Sequence, residues 1–221
     1  MAGRLIVLEG IDGSGKSTQY KKLRQRLEDE GKVFRSLVFP RYDKASSALI
    51  RMYLGGEFGS DPGDVNAFAA SSFYSVDRYA SYKTDWEDYY AGGGVLLSDR
   101  YTTSNAVHQG AKLPENARES YFNWLYDFEY DRLGLPRPDL VIYLDIDVET
   151  SLRQMRARQE KTNTHGDIHE THAEYLMRCL SSGRQACAHF GWTRINCIQN
   201  GAMRAIDDIH EDIYRAAIKL F

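Results

Sequence analysis

The stretch LIVLEGIDGSGKSTQ, residues 5–19, runs from an apolar segment through a glycine-rich loop into an amphipathic one. Within it Gly10–Ser17 matches G-x-x-x-x-G-K-[ST] without a mismatch, after an expected strand and before an expected helix, the context that this motif requires. Glycines let the backbone curl so that successive N–H groups point inward at the start of a helix, which makes a nest for anions. Lys16 adds positive charge for the β- and γ-phosphates, and the Ser17 hydroxyl can ligate Mg²⁺. Gly10, Gly13, Ser14, Gly15, Lys16, Ser17 and Thr18 are the expected cradle for a nucleoside triphosphate.

Outward from the loop, five short apolar runs read as buried strands: 4–9, 33–39, 95–99, 140–145 and 194–198. Amphipathic segments between them read as helices over 16–30, 46–54, 64–90, 115–133, 150–159, 170–190 and 203–220. Gly31 is placed to stop the first helix, and Pro62 suits the first turn of the longest one. Strands alternating with helices imply an α/β fold: a three-layer α/β/α P-loop domain on a five-stranded parallel sheet. No repeat or linker divides the chain, so residues 1–221 read as one domain.

Composition narrows the partners. A formal charge of −3 gives no global attraction to nucleic acid or to an anionic membrane, so any anion site is local. The apolar run near the N-terminus is far too short for a signal segment or a membrane span. Cys179, Cys187 and Cys197 are odd in number and follow no C-x-x-C spacing, so they read as free thiols in a reducing compartment, which fits the cytoplasm.

VLLSDRY, residues 95–101, is an apolar strand ending in Asp99. In a parallel sheet that end faces the ligand crevice, where Asp99 can hold Mg²⁺ through water and Arg100 can reach a phosphate. A salt bridge between strand-end neighbours is the plainer alternative. Arg41 follows the second strand, and Arg78 lies four residues after Tyr74 on the longest helix. A ring for a base and a guanidinium for a carbonyl or phosphate would then share one face, although a core tyrosine with a surface arginine fits the spacing equally. Arg153, Arg156, Arg158 and Lys161 concentrate charge before a polar loop, which reads as a lid over approximately 153–170 supplying arginines to the transition state. His165, His169 and His172 lack a zinc spacing and read as lid surface. No base-reading N-K-x-D motif of GTPases is present. Small P-loop kinases remain, or a nucleotide-binding regulator without chemistry.

Over nearly its whole length the chain resembles the thymidylate kinases. The likeness is carried by EGIDGSGKST, by VFP after the second strand and by Tyr74-x-x-x-Arg78. SDRYTTSNAVHQG, RPDLVIYLDID, the lid and IDDIHEDI add to it, while 111–135 contributes little. The resemblance implies ATP as donor with Mg²⁺, Lys16 and Ser17 serving both, and Asp12 contacting the acceptor's sugar and phosphate region. It implies that Arg41, Arg78 and Arg100 hold the acceptor, that Tyr74 stacks on thymine, and that Ser104, His108 and Gln109 line the nucleoside pocket. It also implies a cytoplasmic homodimer paired through long helices. Gly13 stands where one branch of the family carries a loop arginine; the other branch places its catalytic arginines in the lid, here Arg153 and Arg158. Arg41 sits one residue earlier than in FPER-like relatives, His108 replaces Tyr or Phe, and Tyr74 replaces the more usual Phe.

Chemistry separates a monophosphate acceptor from a nucleoside. A nucleoside hydroxyl needs a general base, usually a carboxylate. A monophosphate oxygen is already ionised near neutrality and needs cations instead. Arg41 stands where nucleoside kinases place their base, which favours a monophosphate acceptor; the resemblance implies dTMP.

Overall fold

The computed structural model describes residues 2–162 and 173–221, with the side chains of Arg158, Glu160, Lys161 and Thr162 excepted. The expected lid residues 163–170, the three lid histidines and the Arg158 and Lys161 side chains therefore lie outside the described residues. Five strands, β1 (Arg4–Glu9), β2 (Arg35–Val38), β3 (Val95–Asp99), β4 (Leu140–Asp145) and β5 (Thr193–Asn196), form a sheet in the order β2-β3-β1-β4-β5. All four pairings are parallel. The helices are α1 (Lys16–Asp29), α2 (Ala48–Leu54), α3 (Ala67–Ser81), α4 (Glu87–Ala91), α5 (Thr103–His108), α6 (Glu115–Tyr126), α7 (Val148–Thr162), α8 (Ala173–Phe190) and α9 (Ile206–Ala217).

Alternation along β1 builds both cores. Leu5 and Val7 point to one face and meet Val107 of α5, Phe122 of α6 and Cys179 of α8. Ile6 and Leu8 point to the other and meet Leu23 of α1 and Ile213 of α9. The three-layer arrangement follows, with β1 buried on both sides. Among the described residues no helix is long and apolar enough to cross a membrane. The three cysteines are free and buried, and burial pushes each thiol well above its ordinary value.

Two expected long helices break. The chain over 61–64 folds into a tight local turn, with Gly63 N–H donating to Asp61 at 2.7 Å. Helix α3 starts only after Asn66, whose side chain accepts from Ala69 N–H at 2.9 Å. Pro62 is thus outside the helix rather than in its first turn. A π-helical stretch over Tyr82–Trp86 then separates α3 from α4, and a second one, Asp127–Arg132, follows α6. Each adds a residue to the local turn, which carries side chains inward that α-helical spacing would leave at the surface. Trp86 and Glu129 are the buried results. The expected stop at Gly31 is observed: it is left-handed at φ 69, and Lys32 N–H donates to Leu27 O at 2.9 Å. An Asn200–Gly201 turn joins a short hairpin, β6 (Ile198–Gln199) with β7 (Ala202–Met203), which sequence periodicity does not reveal.

Strand register sets up the crevice. Asp99 pairs in register with Leu8 of β1 and Val38 of β2. The carboxyl ends of β2, β3 and β1 are therefore level, and the segments leaving them converge. The chain lays β2 and β3 on one side of β1 and β4 and β5 on the other, so the order reverses beside the glycine loop.

Candidate active site

The loop after β1 has the features of an anion nest. Gly13 and Gly15 take left-handed conformations, at φ 74 and φ 81. At Gly13 space also matters, because a Cβ there would lie 2.5 Å from the Ser151 carbonyl oxygen of α7. Gly15 occupies the N-cap of α1 without a side-chain cap, leaving the first N–H groups of that helix for a ligand. The Ser14 hydroxyl is buried with no hydrogen-bond partner among the described residues. A polyanion would supply the missing acceptors. Ser17 and Thr18 are exposed at the helix start.

Lys16 is 7% exposed and forms an ion pair with Asp99. Burial, aided by Arg100, lowers its affinity for a proton below the ordinary ammonium value. The expected metal residues Ser17 and Asp99 thus flank the lysine. Among the described residues no cluster of three or more acidic, His or Cys side chains forms a ready-made metal cage. A Ser hydroxyl and one carboxylate suit Mg²⁺, which retains water and takes its other ligands from phosphates.

Beside the nest lies an open cleft with both polar and apolar side chains in its lining. Asp12, Tyr74, Arg78, Arg100, Ser104, His108 and Gln109, all expected site residues, contribute to its lining. Six further contributors, Phe39, Pro40, Tyr42, Leu54, Tyr101 and Asn105, were not among the expected site residues. The signal for Asn105 was its place one residue after Ser104 in a segment already singled out, obscured because the six-residue α5 is too short to show a period.

Arg100 organises the floor of the cleft. Its backbone is left-handed at φ 67, uncommon for a residue with a side chain, and is held by Arg100 N–H donating to Leu8 O at 3.1 Å. The Ser98 hydroxyl donates to Arg100 O at 2.6 Å from the other side. This backbone sends the guanidinium to Asp12 at 2.6 Å, to Glu9 at 3.4 Å and to His108 Nε2 at 2.9 Å. Glu9 is fully buried and also accepts from Gly10 N–H at 2.9 Å, Thr103 at 2.9 Å and Ser104 at 2.6 Å. Its oxygens are committed to holding the loop and α5 together.

His108 lies between two groups that fix its tautomer. Arg100 can only donate, so Nε2 accepts and the proton sits on Nδ1, which lies 3.7 Å from Cys179 Sγ. Burial first and Arg100 second push the imidazole down to about 4. The unfolded chain therefore takes up a proton at this histidine below about pH 6.5, and the folded one only near pH 4. Stability is fully present above the unfolded value and falls as pH drops through that window. Between pH 7.5 and pH 5 the loss is about 2 kcal/mol. Urea melts at the two pH values check it: His108→Asn should remove most of that difference, and an equal slope in both proteins would exclude His108 as its source.

Arg78 and Tyr74 both line the cleft, but Arg78 is not a surface residue. It is 2% exposed and donates through Nε to Glu129 at 2.7 Å, with a second ion-pair contact from Nη2. Burial works against the guanidinium charge, and Glu129 outweighs it, so Arg78 stays charged above its ordinary range. Tyr74 is half-buried across the same wall.

Arg41 does not line the cleft. Its guanidinium pairs with Asp85 of the first π-helical stretch and lines a separate depression with Arg35 and Trp86. The neighbouring Tyr42 faces the cleft instead. Arg41 N–H donates to Asp77 at 2.9 Å, which turns the backbone so that consecutive side chains diverge. Arg153 and Arg156 lie exposed along α7, and Arg153 donates to Thr150 at 3.0 Å. The base of that helix is tied to the loop, since Ser151 Oγ donates to Asp12 O at 2.6 Å.

Comparison with known proteins agrees with this layout. The family model described as thymidylate kinase matches residues 8–212. A thymidylate kinase of Mycobacterium tuberculosis is 34% identical over 190 residues, 85% of this chain and 87% of that protein. A probable thymidylate kinase of Pyrococcus horikoshii is 32% identical over 96% of this chain and 95% of its own, and the human thymidylate kinase is 29% identical over 96% and 88%. A solved thymidylate kinase of Candida albicans has a TM-score of 0.70 over 99% of this chain and 92% of that one, at 20% identity, which bears on the fold. With an anion nest, a flanking lysine and an arginine-floored cleft at the carboxyl edge of a parallel sheet, and with that family model spanning most of its length, the chain belongs to the thymidylate kinase family.

Proposed function

We propose that the protein transfers the γ-phosphoryl group of ATP to the phosphate of dTMP, giving dTDP and ADP. One observation carries the choice of acceptor: the cleft beside the nest is floored by the Arg100 guanidinium, and Asp12, the one acidic residue lining it among the described residues, is paired with that arginine. Such a site attracts an anionic phosphate and offers no free base. The attacking oxygen of a monophosphate needs none, its second pKa lying near 6. Positioning and charge neutralisation then carry the catalysis.

In this reading the nest and Lys16 hold the donor phosphates, and Ser17 and Asp99 hold Mg²⁺, which would neutralise charge between the β- and γ-phosphates. Arg100, oriented by Asp12 and Glu9, receives the acceptor phosphate, and Tyr74 and Arg78 receive the base. Ser104, His108 and Gln109 border the sugar and base; the Gln109 Oε1 is buried with no partner among the described residues. Arg41 reaches the acceptor only by leaving Asp85. Arg153 and Arg158 are the lid arginines, on one P-loop domain spanning 1–221. Buried free thiols fit a cytoplasmic enzyme. The exposed face of α3, with Phe68, Val76 and Tyr79 at 41–53% exposure, suits a homodimer contact, for which light scattering should give twice the chain mass.

A nucleoside 5′-hydroxyl acceptor is the second reading, and it requires a base. Glu9 is saturated, and Asp77 accepts from Arg41 N–H and from Ser46 at 2.6 Å. ADP release from Mg·ATP with dTMP, dUMP, dCMP, dAMP, dGMP, UMP and thymidine separates the cases. Turnover with dTMP well above the rest is expected. Turnover with thymidine alone would reverse the acceptor assignment, and ATP binding without ADP release for any acceptor would point to a regulator.

A further inference from the structure

Glu129 does not itself line the cleft, yet it binds two of the residues that do, Arg78 and Asn105. It is fully buried on the π-helical stretch after α6 and accepts from five donors. Two come from Arg78; the others are Ser75 at 2.9 Å, Thr102 at 2.7 Å and Asn105 Nδ2 at 3.3 Å. Asn105 Nδ2 gives its second hydrogen to Ser71 O at 3.3 Å. Two acceptors on that side of the amide leave only one orientation, with Nδ2 inward. Asn105 Oδ1 then has no protein donor among the described residues, on a side chain that lines the cleft.

Arg78 is constrained in the same way. Nε and Nη2 bond the carboxylate, and Nη1 makes a long contact of 3.4 Å with Tyr101 O, so unused N–H groups remain on Nη1 and Nη2. The carboxylate cancels the guanidinium charge locally. Toward the cleft Arg78 acts as a directed donor with little net charge, suited to an uncharged carbonyl oxygen rather than a phosphate.

We propose that Glu129 is the positioning residue that sets base preference, by neutralising Arg78 and turning Asn105 so that the cleft presents a donor beside an acceptor. This rests on reading the cleft as the monophosphate site. A 4-oxo pyrimidine with a hydrogen on N3 complements that pair, its carbonyl toward Arg78 and its N–H toward Asn105 Oδ1. A 4-amino pyrimidine mismatches both, setting donor against donor and lone pair against lone pair, and buried polar groups left unpaired are what make such discrimination large. Replacing the carboxylate by an amide lets Asn105 turn and leaves the Arg78 charge uncancelled, so the mismatch weakens.

The test is equilibrium binding of dTMP and dCMP by calorimetry without ATP, on the full chain, for wild type, Glu129→Gln and Glu129→Asp. Steady-state kinetics with both acceptors run alongside. Wild type should favour dTMP by about 10²-fold or more, and Glu129→Gln should narrow that ratio at least about tenfold, acting on KM more than on kcat. Glu129→Asp, which keeps the charge, should recover part of the ratio. An unchanged dTMP-to-dCMP ratio in Glu129→Gln, with binding merely weaker for both, would mean that Glu129 only supports the fold. Should Glu129→Gln fail to fold, Glu129→Asp decides: a wild-type ratio there overturns the proposal. A wild type that shows no preference between the two also overturns it. Selective binding without turnover would instead sink the kinase reading and leave this one standing.

Discussion

Lys16→Ala should reduce turnover by about 10²–10³-fold while leaving dTMP binding nearly unchanged. The lysine is 7% exposed, stands in the first turn of α1, and shares the crevice with Asp99. In the proposed reading its charge serves phosphates as they approach the nest, and a cation in a water-poor site is worth far more than one at the surface. It does not line the neighbouring cleft. The variant therefore separates donor from acceptor: ADP release falls, and dTMP calorimetry does not change. A parallel loss of dTMP binding would mean that the two sites are not divided as described. Asp99, 13% exposed and open to the crevice, tolerates losing its partner, so the circular dichroism spectrum should be retained.

The largest effect on stability belongs to Glu129→Ala. It leaves the Arg78 guanidinium, 2% exposed, without its counter-charge and strips the acceptor from Ser75, Thr102 and Asn105. Breaking a buried ion pair from one side costs about 3–5 kcal/mol. For a chain of this length that corresponds to a fall of roughly 10 °C in Tm. Thermal melts of wild type, Glu129→Ala and a Glu129→Ala/Arg78→Met double variant check the origin. The double variant should recover much of the loss, since it removes the stranded charge. Equal melting of the single and double variants would show that the charge is not the cause.

Legibility followed locality. The glycine loop, Lys16, Ser17 and Asp99 were readable because a short motif between a strand and a helix dictates its own backbone, and the structure keeps them in one crevice. The five strands were readable from apolar runs, although β2 is shorter than expected because its edge position leaves it largely exposed. The direction of Arg41 was not legible because it depends on Asp85 and Asp77, which lie far away in sequence. Glu129 was missed for a related reason. Its segment carries no motif, and an α-helical spacing does not predict the π turn that brings it inward. A carboxylate set directly between Phe128 and Tyr130 was the available hint.

The contact between Gly13 and Ser151 reaches beyond this chain. The family resemblance offers two homes for a catalytic arginine, the loop or the lid, and here position 13 is closed to any side chain by the carbonyl 2.5 Å from a would-be Cβ and by a left-handed φ of 74. Ser151 Oγ on Asp12 O fastens α7 at that spot. Passing from one arrangement to the other is thus not a matter of one codon. The helix must first withdraw from the loop, so in this chain a loop arginine would strain the fold before it could help the chemistry.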